Sequence, residues 1–229
     1  MQCNVGEQIM KAIISKLNRI RKKRIDMIKS LWYTRKWPAD HGKFIVALKT
    51  RVDAGKTALI REGSVHIGCP KGIFGYIGMP GTDAALIKVD DGGKLKLGDG
   101  VCVYAGARII VAGEGHVEIG KNTSISSNTY MLSRKQIIIG CDCAISWDCQ
   151  IMDTDFHEIM TENVEHAMDA PVVIGNHVLV CSKVTILKGV KIGNDAIIAA
   201  ESVVTRDVPN GCVVAGNPAR IIKENVHWI

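Results

Sequence analysis

Apolar residues recur every six positions across residues 174–209, which divide into IGNHVL, VCSKVT, ILKGVK, IGNDAI, IAAESV and VTRDVP. The first position of each block is Ile174, Val180, Ile186, Ile192, Ile198 and Val204, a β-branched aliphatic every time. The fifth is Val178, Val184, Val190, Ala196, Ser202 and Val208, small or β-branched. An amphipathic helix would repeat at threes and fours, and a half-buried strand at twos. A period of six predicts very short strands with a corner after each, the pattern of a parallel β-helix. Three hexads make one triangular coil, and stacked coils lie about 4.8 Å apart, the spacing of hydrogen-bonded strands. First-position residues then form an aliphatic ladder inside. Gly175, Asn176, Gly193 and Asn194 are expected at the corners, where positive φ is tolerated.

The same rhythm is looser upstream. It is legible at Leu97-Gly98-Asp99-Gly100 with Val103 and Ile109, at Ile119-Gly120-Lys121-Asn122 with Ile125, and at Ile139-Gly140-Cys141-Asp142 with Ile145 and Ile151. Residues 43–96 show short β-type runs at 44–48, 65–67 and 84–89 between Gly- and Pro-rich turns, and read as the first, imperfect coils. The longest interruption, about residues 152–173, is polar and contains DTDFHE, and loops on a rigid scaffold tend to carry function. At the start, Ile9, Ile13, Leu17, Ile20, Met27, Ile28 and Leu31 recur at threes and fours, predicting a helix over 5–32 that Pro38 stops. Around 219–225 a short helix is expected, and Trp228 is expected to pack back on the domain. Three parts follow: a basic helical segment over 1–42, a β-helix over 43–214, and a tail over 215–229.

The repeats, with ESVVTRDVP and AGNPARIIK at their end, resemble the hexapeptide-repeat acyltransferases, and in particular the O-acetyltransferases that modify sugars and polysaccharides with acetyl-CoA. The resemblance covers residues 97–223, and its end motif is the most specific part. It implies an all-β fold, a left-handed parallel β-helix with the N-terminal α-helical segment and the short C-terminal helix attached. Spacing alone does not give that hand, since crossovers between parallel strands are usually right-handed. It also implies a homotrimer, because the donor site of such enzymes lies between subunits.

Composition agrees with a narrow core, with hydrophobic residues at 47% and aromatics at 5%. Eight cysteines and no secretory signal predict reduced thiols in a cytoplasmic protein. Cys141, Cys143 and Cys149 lack the paired spacing of a zinc site and read as small buried side chains, and no metal is expected. A β-helix carbonic anhydrase would need three histidines placed for zinc, and no convincing set is visible. Residues 1–40 carry ten basic and three acidic side chains, a net +7, so the total of +6 leaves −1 for the rest. The segment 1–36 is therefore a candidate for peripheral contact with the inner face of an anionic membrane, although packing on the β-helix or a partner subunit is the favoured reading. No run is long and apolar enough to span a membrane, and no nucleic-acid partner is expected.

Acetyl transfer needs a base, donors for the oxyanion and two aligned substrates. His157 matches the position of the family's catalytic histidine and is the expected general base. Asp155 or Asp153 is expected to orient it or to bind the acceptor, since on an extended strand Asp153, Asp155 and His157 would share one face. The resemblance places Ser182 and Ala200 along the pantetheine arm, Thr205 and Arg206 after them, and Arg220 and Lys223 near the phosphates, where an arginine fork suits phosphate oxygen. Asn128 and Trp147 are candidate acceptor contacts. Glu201 stands where the family has a small residue and is expected to face water. His177 precedes VLVC where relatives often have VWIG, a departure in the thioester pocket. The expected activity is O-acetylation of a sugar hydroxyl on a cell-surface polysaccharide or its precursor. An amino-sugar N-acyltransferase and a non-catalytic β-helix scaffold are the alternatives.

Overall fold

The computed structural model describes residues 25–68, 84–161 and 164–229. Hexad periodicity becomes three parallel sheets, the faces of a triangular prism. The first face has nine strands, from Phe44–Val46 through Ala144–Ile145, Leu179–Val180 and Ile197–Ile198 to Val213–Gly216 and Ala219–Lys223. The second has seven, from Arg51–Asp53 through Gln150–Met152 and Thr185–Ile186 to Val203–Val204. The third has six, from Leu59–Arg61 through Val172–Ile174 to Lys191–Ile192. Ile174 pairs with Ile192, Val180 with Ile198 and Ile186 with Val204, so three hexads do make one coil. The first- and fifth-position side chains from Ile174 to Val208 are all buried. A chain that folds this way buries its apolar ladder with small branched residues and leaves bulky rings outside or at the ends.

The corners differ from expectation in one respect. Positive φ falls on the fourth position of the first five hexads, at His177, Lys183, Gly189, Asp195 and Glu201, and not at Gly175, Asn176, Gly193 or Asn194. The glycines answer a different demand. A Cβ on Gly175 would lie 2.5 Å from Asn194 Oδ1 and 2.8 Å from Asn194 N, so only glycine admits the next coil so closely. The asparagines form a ladder across that gap. Asn176 Oδ1 accepts from Cys141 N, Asn194 Oδ1 from Asn176 N, and Asn210 Oδ1 from Asn194 N. Each amide closes one coil's corner with a hydrogen bond to its neighbour.

A helix spans Met27–Lys36, with Asp26 as its N-cap accepting from Lys29 N at 2.9 Å. Most of the helix expected over 5–32 lies outside the described residues. The part described begins later and ends later, because Ile25 forms an antiparallel bridge with Ala47 and Asp26 is the extended cap. The helix lies over the open edge of the first strand. Its Thr34 and Ser30 hydroxyls accept from Phe44 N and Val46 N, which would otherwise face water as an unpaired sheet edge. Tyr33, Trp37 and Phe44 pack with ring centroids 5.1–5.6 Å apart and plug the end of the prism.

At the other end a helix over 219–225 does not form. Ala219–Lys223 is a strand that pairs antiparallel with Val213–Gly216. The last coil leaves an open edge, and the β-branched Ile221 and Ile222 suit its extension better than an isolated turn of helix. The described cysteines are free thiols; Cys143 and Cys149 are buried as expected, whereas Cys141, at a corner, is half-exposed. Burial pushes the Cys149 thiol up to about 11, so it stays protonated and unreactive.

On the third face Lys96 Nζ reaches Glu118 Oε1 at 2.8 Å and Glu62 Oε1 at 3.1 Å. The hydrogen bond from Lys96 holds the Glu118 carboxyl below its ordinary range. A carboxyl held low stabilises the fold at neutral pH, and that contribution is lost as pH falls through the ordinary glutamate range and below it. The pair is half-exposed, which keeps its contribution under about 1 kcal/mol. Glu118→Gln should therefore unfold slightly earlier than wild type at neutral pH and match it in acid. A difference in unfolding midpoint that does not shrink with acidification would contradict this.

Candidate functional site

The second face is bounded by two edges, and the residues singled out in the sequence divide between them. On the edge toward the first face, Asp148 N donates to Ser127 O, Lys183 N to Trp147 O, and Glu201 N to Ser182 O, each at 3.0 Å. Ser127, Trp147, Ser182 and Ala200 thus occupy one column, a corner position repeated coil by coil. Asn128 sits beside the first of them in the left-handed conformation (φ 57°) and is exposed. The two acceptor candidates and the two pantetheine candidates therefore share an edge, with Asn128 and Trp147 on earlier coils than Ser182 and Ala200. Glu201 faces water as expected and pairs with Lys183 at 3.4 Å.

The loop that carries His157 leaves the opposite edge, after the strand Gln150–Met152. It is clasped where it leaves and where it returns. Asp153 is fully buried, and its carboxylate accepts from Ser133 Oγ at 2.7 Å, Arg134 N at 2.8 Å and Lys135 N at 2.9 Å. Thr154 bridges to Asp169, and Asp155 N donates to Met168 O. Beyond this neck Ile159–Thr161 pairs antiparallel with Val164–His166, a hairpin that projects from the prism.

The expectation that Asp153, Asp155 and His157 extend along one face is not met. Phe156 has φ 63°, which breaks the alternation of side chains between Asp155 and His157. Asp153 is committed to the preceding coil. Asp155 forms an ion pair with Lys188 Nζ at 2.7 Å. His157 is exposed and has no hydrogen-bond or ion-pair partner among the described residues. His166, in the same hairpin, shares a hydrogen bond with Thr161 Oγ1 at 3.0 Å.

Lys188 escaped the sequence reading. Its Nζ also donates to Ala167 O, so one ammonium binds both limbs of the loop. The signal was available in the register: Ile186 pairs with Val204, which sets Lys188 one coil from Arg206 in the same corner position. Two coils before Lys188, Arg134 and Lys135 contact Asp169. A line of basic side chains therefore runs along the edge that bears the loop, ending at the exposed Thr205 and Arg206. Arg220 and Lys223 are exposed on the terminal antiparallel strand, not on a helix.

Residues 171–206 match the family described as bacterial transferase hexapeptide (six repeats). Over 125 residues the chain is 38% identical to the polysialic acid O-acetyltransferase of Escherichia coli O1:K1 / APEC, a match that covers 52% of this chain. The match covers 40% of that enzyme's length. Among solved structures, the polysialic acid O-acetyltransferase OatWY superposes with a TM-score of 0.56 at 26% identity, covering 83% of this chain and 90% of that one. The polysialic acid-specific acetyltransferase NeuO gives a TM-score of 0.61 at 24% identity, covering 83% of each chain, and shares the fold. The architecture is accordingly an all-β, left-handed parallel β-helix with a helix at its N-terminal end. In repeat, fold and sequence the chain resembles the polysaccharide O-acetyltransferases among the hexapeptide-repeat acyltransferases.

Proposed function

We propose that the chain is an acetyl-CoA-dependent O-acetyltransferase that esterifies a sugar hydroxyl of a polysaccharide or its precursor, with His157 as general base. The observation that carries this reading is the placement of His157: an exposed imidazole without a hydrogen-bond or ion-pair partner among the described residues, on a loop clasped at its neck. His157 takes the proton of the acceptor hydroxyl as its oxygen attacks the thioester carbonyl. Collapse of the tetrahedral intermediate breaks the C–S bond, and the thiolate of coenzyme A leaves with that proton. Ser182 and the backbone at Ala200 take the pantetheine arm, while Thr205, Arg206, Arg220 and Lys223 take the anionic end. Asn128 and Trp147 take the sugar, which hydrogen-bonds to amides and stacks on aromatic faces.

His157 and the column of Trp147, Ser182 and Ala200 lie on opposite edges of one face. We infer a homotrimer as the active form, in which packing of identical prisms edge to face would bring the histidine of one chain toward the column of the next. The polysaccharide acceptor is supported by the names of the relatives.

The test is an acceptor screen that includes oligosialic acid, with acetyl-CoA as donor, release of free thiol as readout and mass spectrometry of the product. The expected product carries one acetyl group that mild alkali removes, as an ester requires. An alkali-stable acetyl group would mean N-acylation of an amino sugar. Acetyl-CoA neither bound nor turned over would mean a scaffold.

A further inference from the structure

A second cluster of side chains lies on the third edge of the prism, where the third face turns into the first, away from the His157 loop. His177 and Asp195 occupy the same corner position one coil apart, both in the left-handed conformation (φ 54° and 59°). That conformation aims them outward, one above the other. The tail returns to this corner. Val226 N donates to Gly211 O at 2.9 Å, and Trp228 Nε1 donates to His177 O at 2.7 Å. The rings of Trp228 and His177 stack with centroids 4.2 Å apart and planes 4° from parallel. These contacts deliver His227 to the other two groups.

We propose that His177, Asp195 and His227 form a binding site for a divalent transition-metal ion of the zinc class, which clasps the tail to the β-helix. One ligand atom from each residue lies within 4.8 Å of the other two. His177 Nδ1 is 2.8 Å from Asp195 Oδ1, and His227 Nδ1 is 3.4 Å from the same oxygen. Zinc bonds imidazole nitrogen and carboxylate oxygen at about 2.0–2.2 Å, so neighbouring ligands of a tetrahedral ion stand about 3.3 Å apart. The two separations, 2.8 and 3.4 Å, bracket that spacing. The remaining gap, between the two imidazoles, closes by rotation of His227, whose side chain is 67% exposed and whose ring centroid lies 5.1 Å from that of His177. Two imidazoles and a carboxylate are a ligand set that zinc takes, and with three protein ligands a fourth position stays open to water. Stacking of His177 on Trp228 and the hydrogen bond to its backbone hold the first ligand in place before the ion arrives, which lowers the cost of ordering the site. The residues span three distant sequence positions with no motif between them, and only the coil register and the returning tail bring them together.

The same groups without an ion would still make a salt-bridged clasp, so the test reads metal uptake itself. The full chain, freed of metal by a chelator, is titrated with cobalt(II) as a spectroscopic stand-in and then with zinc. The expected result is one cobalt per chain with visible ligand-field absorption, displaced by zinc, and absent from both His227→Gln and Asp195→Asn. Zinc at about 100 times its dissociation constant should also shift the folding equilibrium of wild type about 100-fold toward the native state. His227→Gln, altered at an exposed side chain, should fold normally and show no such shift. Absence of uptake by wild type, or uptake that persists in either variant, would overturn the site.

Discussion

His157→Ala should lower turnover by about 10²–10⁴-fold, the usual contribution of a positioned general base. Acetyl-CoA affinity should stay near wild type, because the donor contacts are assigned to other coils. The loop should keep its shape, since His157 makes no hydrogen bond or ion pair with the described residues and its removal leaves no partner stranded. Arg220→Ala supplies the contrast. Among the described residues its side chain bonds only the adjacent carbonyl of Ala219, so its loss should weaken acetyl-CoA binding more than turnover at saturation. Steady-state kinetics with varied acetyl-CoA on folded variants separates the two effects. Wild-type turnover in His157→Ala would remove it as the base and pass the role to His166, whose imidazole is exposed in the same hairpin.

Much of this geometry can be read from the residues, for a reason specific to the fold. In a β-helix every coil solves the same packing problem, so the apolar ladder repeats in sequence with the period of the coil. That is why Ile174, Val180 and Ile186 announce their burial and their register. What the sequence hides is whatever depends on stacking between coils. His177, Lys183 and Glu201 bear the positive φ of the corners although none looks like a turn residue, whereas Gly175 and Gly193 are glycines because of the asparagine above them. The tail misleads for a related reason. Residues 219–225 mix apolar and basic side chains at spacings a helix tolerates, but the outer edge of the last parallel strand, Val213–Gly216, captures them. Tertiary context decides such short segments more often than intrinsic propensity does. Lys188 is the clearest omission. It looks like an ordinary solvated lysine until the register sets it beside Asp155 and one coil from Arg206.

Asp153 shows how far proximity in sequence misdirects, and it yields the largest expected stability effect. Four residues from His157, it suggests a catalytic partner, but its own partners are a hydroxyl and two amides on the preceding coil. Asp153→Ala would leave Ser133 Oγ, Arg134 N and Lys135 N without their acceptor. A buried donor left unsatisfied costs about 1–3 kcal/mol. Only the Ser133 hydroxyl is fully buried, the two amides being partly open to water, so the expected loss is about 2–4 kcal/mol. Asp153→Asn keeps one carbonyl oxygen but turns an NH₂ toward a donor, so its loss should be intermediate. The same substitutions free the first limb of the loop and should depress turnover through misplacement of His157, with less effect on acetyl-CoA binding. Chemical denaturation at matched protomer concentration, read together with turnover, tests both halves. A stability change below about 1 kcal/mol in Asp153→Ala would show that the three donors find other partners. Full stability with lost turnover would instead place Asp153 in the chemistry, as its distance from His157 along the chain first suggested.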